Sequence, residues 1–79
     1  MMNVASNIHE DNFEIYLKLS QREKDVANAI IKHGNFKNVA KSLGLSRHTV
    51  IRYAVTLRYK LGISNTILAA YKAKEMGLL

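Results

Sequence analysis

Glycine falls at only four places in the chain, Gly34, Gly44, Gly62 and Gly77, and proline at none. A chain with so few breakers is free to be helical throughout, and its glycines mark where each helix stops. Starts precede the stops. Ser20 followed three residues later by Glu23 has the spacing of a capping box, and Val26, Ala27, Ile30 and Ile31 then recur at helical intervals up to Gly34. Asn35 can cap a second helix whose Val39, Ala40 and Leu43 form one apolar stripe ending at Gly44. Ser46 opens a third, in which Val50, Tyr53 or Ala54, Leu57 and Leu61 share a face before Gly62. Ser64 or Asn65 starts a fourth that runs through "TILAAYKAKEM" to Gly77. The fold class this predicts is all-α, with four helices over residues 19–79. Residues 1–18 are predicted to be an N-terminal arm or a short extra helix, with apolar residues at 13, 15, 16 and 17.

With 79 residues the chain is one domain. It has no cysteine, so neither a disulfide nor a thiolate-bound metal can supplement a small core. The net charge of +6 is unevenly spread. Between Val26 and Lys74 there are nine Lys or Arg residues and no acid, whereas the first 25 residues hold five acids against three bases. A basic body of this kind suits a polyanionic partner, although a solvated surface kept for solubility has the same composition. No apolar run reaches the roughly 18 residues that span a bilayer, and Met1 to Ile8 lacks a basic leader region. A cytoplasmic protein associated with the nucleoid, and with no membrane partner, is expected.

A short helix, a tight turn with glycine and a longer helix make a helix-turn-helix. Ala40 lies four residues before Gly44 and Val50 six after it. A small side chain at 40 lets the helices approach, glycine at 44 supplies a left-handed turn, and Val50 fills the elbow beside Val39, Leu43 and Leu45. Two helices crossing over a small core would also suit an ordinary bundle. The acid-free basic run of the third helix favours DNA.

The stretches "LSQREKDV", "VAKSLGLSRHTV", "YKLGIS", the "AA" at 69 and 70 and the final "GLL" carry a closer likeness. Residues 19–79, about three-quarters of the chain, resemble without a gap the LuxR/GerE-type helix-turn-helix domain, also found as the output domain of NarL/FixJ-type response regulators. The resemblance implies four helices, binding to double-stranded DNA as a homodimer, and control of transcription. It is to the small free-standing members, which implies no sensor within the chain. The sequence departs from the family pattern at Asn38, where an acid is usual, at Ile51, where lysine is usual, and at Tyr53, where histidine is usual.

In a helix-turn-helix the N-terminal half of the second helix enters the major groove. His48, Ile51, Arg52 and Val55 are therefore candidates for base edges. The Arg52 fork matches the O6/N7 pair of guanine, or else a phosphate, while Ile51 and Val55 can meet thymine methyl groups. Ser46, Arg47 and Thr49 cluster at a helix N-terminus, which attracts phosphate, although Ser46 can serve as a cap alone. Lys37, Lys41, Arg58 and Lys60 are further phosphate candidates, or solvated charges. On the last helix Ile67, Ala70, Tyr71 and Lys74 line one side, and Ala69, Ala73 and Met76 another. One stripe must pack on the body. The resemblance gives the first to a two-fold dimer contact, while Ile67 and Tyr71 could equally complete a monomer core.

His48 has no Asp, Cys or second His at ligand spacing, so no metal or other cofactor is expected. Nor is catalysis: the acids are confined to the ends, and no phosphate-cradling glycine loop or Ser–His–acid set can be drawn. The alternative of a different class is a protein-interaction module that pairs with a larger LuxR-type regulator or with RNA polymerase. Exposed basic groove positions would be idle in such a module.

Overall fold

Four helices carry residues 18–79, the part of the chain that the computed structural model describes: α1 (Gln21–His33), α2 (Phe36–Leu43), α3 (Arg47–Leu61) and α4 (Thr66–Glu75). Each begins where the sequence offers a side-chain cap. Ser20 Oγ accepts from Glu23 N at 3.1 Å while Glu23 Oε1 accepts from Ser20 N at 2.7 Å, a complete capping box. Asn35, Ser46 and Asn65 each accept from the backbone amide three residues on, at 2.8, 3.1 and 3.0 Å. The fourth cap is thus Asn65 and not Ser64.

Three helices end on the left-handed glycines Gly34, Gly44 and Gly62. At Gly44, φ is +66°, and the chain closes a double turn in which Gly44 N donates to Lys41 O and Leu45 N to Ala40 O. That pairing satisfies two carbonyls the helix would otherwise leave open. The last helix stops at Glu75, slightly before Gly77, which takes a φ of +73° in the turn beyond.

α1 packs against all three other helices, α2 crosses onto α3, and α4 lies on α1 and α3. The largest fully buried side chains, Ile30, Leu57, Val26, Val39 and Val50, meet at this crossing. Each contributes about 1.5–3 kcal/mol by leaving water. On α3 the inward stripe is Val50, Ala54 and Leu57, so Ala54 takes the core position and Tyr53 is half-buried beside it. α4 buries three alanines, Ala69, Ala70 and Ala73. The two stripes read from its sequence are therefore one wide buried arc, because α4 is sandwiched against two helices rather than one. Ala70 has no exposed surface and so cannot itself touch a second copy.

The chain enters the core at Leu19. Of the expected arm or short helix over 1–18, Lys18 is exposed and outside any helix, and the rest lies outside the described residues. No helix among the described residues is long and apolar enough to cross a membrane.

Candidate nucleic-acid interface

Because Val50, Ala54 and Leu57 hold α3 to the body, helical periodicity turns Arg47, His48, Ile51, Arg52 and Val55 outward, and all five are exposed. These include every candidate base reader from the sequence, now on one face. Ile51 and Val55 are 39% and 48% exposed, one helical turn apart, with Arg52 beside them. Thr49 and Arg52 also line a shallow polar groove with Tyr53, Thr56 and Glu23. Lys37 and Lys41 stand exposed on α2, the other limb of the motif.

The start of α3 lacks the negative side chain that a helix N-terminus favours. Its first turn holds no acid, and Arg47 and His48 occupy its first two positions. Cations belong at the opposite end of a helix, since the N-terminal amides already carry partial positive charge. Ser46 caps this end and also donates to Thr49 Oγ1 at 2.9 Å. An anion placed there would meet amides, hydroxyls and a guanidinium together.

All three acids of the described residues are paired within the fold, and of them Glu23 borders the groove beside Thr49 and Arg52. Asp25 meets Arg22 at 3.5 Å, Glu75 meets Lys72 at 3.2 Å, and Glu23 meets Lys60 at 2.8 Å. α2 and α3 contain no acid. The Glu23–Lys60 pair changes the reading of one candidate. Lys60 Nζ also donates to Lys18 O at 3.2 Å, so its ammonium already has two partners within the fold. Burial alone would raise the Glu23 carboxyl. The hydrogen bonds from Lys60 and Ser20, with the Lys60 charge, outweigh that and hold it below its ordinary value. Arg58 is turned toward α4, with Nη1 donating to Thr66 Oγ1 at 2.6 Å. The sequence displayed the capping role of Glu23 but not its second partner, which lies 37 residues away.

On α4, Ile67, Tyr71 and Lys74 are exposed, with Leu68 beside them at 59%. Leu68 was missed as a surface residue, and its position opposite Ala69 and Ala73 could have found it.

Short helix, glycine turn and a longer helix with an acid-free outer face define a helix-turn-helix of the DNA-binding kind. The chain matches the family model described as "Bacterial regulatory proteins, luxR family" over residues 17–73, well over half its length. It belongs to that family, whose domain is a DNA-binding module of transcription regulators. No curated protein and no solved structure matches the chain.

Proposed function

We propose that this protein is a sequence-specific transcription regulator that binds double-stranded DNA as a homodimer, each copy laying α3 in the major groove. The observation that carries the reading is the outer face of α3, where Arg47 stands at the positive end of the helix, Arg52 follows just over one turn on, and the helix itself holds no carboxylate. A phosphate relieves that arrangement, and few other partners would. In this reading Lys37, Lys41, Arg47, Thr49 and the Ser46 cap hold the DNA backbone. His48, Ile51, Arg52 and Val55 face base edges, and Arg58 reaches phosphate with the part of its guanidinium that Thr66 leaves open. Phosphate contacts position the protein, and base contacts give it a sequence.

Ile67, Tyr71 and Lys74, joined by Leu68, are the surface we assign to the second copy. The patch is small, so pairing is weak in free solution and strengthened when two half-sites hold both copies. The place of action that follows is the nucleoid. An interaction module that pairs with a larger regulator or with RNA polymerase would use the same α4 face but would have no use for the α3 cations.

A mobility-shift titration at several salt concentrations, with pure protein and genomic fragments, separates the two. A regulator gives discrete shifted fragments and an affinity that falls steeply with salt. An affinity indifferent to salt, or no shift at all, would falsify DNA binding.

A further inference from the structure

Ile51 and Val55 give the α3 face a chemistry the cations do not explain. Both are aliphatic and exposed, they stand one turn apart, and neither is needed by the core that Val50, Ala54 and Leu57 complete. Exposed aliphatic side chains flanked by Arg47, His48 and Arg52 on an acid-free helix suit an apolar group carried by a polyanion. In the major groove of DNA that group is the methyl on C5 of a pyrimidine.

We propose that Ile51 and Val55 make this protein a reader of pyrimidine C5-methyl groups, so that it recognises thymine and 5-methylcytosine alike at the contacted positions. The inference rests on the placement of α3 in the major groove and adds what that helix selects. Neither side chain can donate or accept a hydrogen bond, so neither can sense whether the pyrimidine carries the O4 of thymine or the N4 amine of cytosine. Both respond to the methyl. Burying one such carbon against an aliphatic side chain is worth about 0.8 kcal/mol, or about fourfold in affinity. Arg52, next to the pair, supplies the hydrogen bonds that fix register. Methylation of cytosine within a site would therefore raise affinity without any change of base sequence.

The probe is a set of duplexes selected by the protein from a random-sequence pool. Each pyrimidine of a selected site is then made in four forms: thymine, uracil, 5-methylcytosine and cytosine. Thymine and uracil differ only by the methyl, as do 5-methylcytosine and cytosine. At one or two positions per half-site, each methylated form should bind about fourfold more tightly than its partner. In the double variant Ile51→Ala with Val55→Ala both ratios should fall to one and overall affinity should drop, while the salt slope, set by phosphate contacts, stays the same. Both residues are exposed, and circular dichroism checks that the variant is folded. Equal affinity within both pairs at every position, with a retained sequence preference, overturns the methyl reading and leaves the DNA-binding reading standing. Ratios that survive in the double variant overturn the assignment to these two residues. If no duplex is selected at all, the placement of α3 falls together with the inference.

Discussion

Lys60 Nζ lies 2.8 Å from Glu23 Oε1, which ties the last turn of α3 to the first turn of α1 across 37 residues of sequence. The same carboxyl oxygen accepts from Ser20 N at 2.7 Å, so one side chain caps α1 and anchors the end of α3. Glu23 is buried, and Lys60 is only partly open to solvent.

This pair makes stability depend on acid. The folded state holds the Glu23 carboxyl below its ordinary value of about 4.5, so the folded protein releases that proton more readily than the unfolded chain. Its contribution is therefore fully present above the unfolded value and is lost as pH falls through the folded one. Thermal or urea unfolding followed downward from pH 6 should show stability dropping below about pH 4.5. Glu23→Gln keeps a capping side chain but removes the charge. It should lower stability near pH 7 by about 1.5 kcal/mol, the low end for a hydrogen bond to a charged group because Lys60 keeps some contact with water, and flatten the acid limb. An unchanged acid limb in that variant would move the effect to another carboxylate.

The salt response should separate lysines that look equivalent in the sequence. Each of Lys37→Ala, Lys41→Ala and Arg47→Ala should weaken every DNA sequence alike and reduce the log–log salt slope by about 0.9, one phosphate contact each. Lys60→Ala should leave the slope in place and lower the unfolding midpoint, because its ammonium holds Glu23. Paired binding and denaturation curves for the four variants decide this, and a slope lost with Lys60 would return it to the DNA.

Gly44 sits at φ +66° in the turn between α2 and α3, and a Cβ built there meets nothing within 4 Å. Its constraint is backbone conformation and not space. Gly44→Ala should lower stability by roughly 1–2 kcal/mol, the penalty of a left-handed L-residue, and Gly44→Asn by less. Urea denaturation of both variants measures the order. A Gly44→Ala variant as stable as the parent would show that the left-handed conformation does not constrain this turn.

On α4, neighbouring positions should fail in different ways. Ile67→Asp should leave a folded protein that binds a single half-site normally and a two-half-site duplex more weakly. Ala70→Leu, one position into the core arc, should cost about 1–3 kcal/mol of stability from overpacking. Sedimentation with and without the two-site duplex, beside denaturation curves, distinguishes them. If Ile67→Asp unfolds the protein, the dimer surface lies elsewhere.

The local features of this fold were readable in advance. A cap and its amide lie three residues apart, and a glycine stop is a property of one residue, so Ser20, Asn35, Ser46, Gly44 and Gly62 appear in the sequence as they do in space. The inward stripe of α3 follows from its period. What escaped is what depends on a distant partner. Nothing near Lys60 distinguishes it from Lys41, because the carboxylate that claims it belongs to α1. Periodicity likewise left α4 with two candidate inner stripes, and only its contact with both α1 and α3 merges Ala69, Ala70 and Ala73 into one.

Those three alanines separate what lineages of this protein can change from what they cannot. Backbone brought so near to α1 and α3 leaves no room for growth at 69, 70 or 73, so drift there is closed. One or two residues away, Ile67, Leu68, Tyr71 and Lys74 stand in the open and carry no part of the core. After a gene duplication their side chains can diverge while the scaffold stays constant, and, if α4 is the pairing surface proposed above, two sister copies can come to ignore one another.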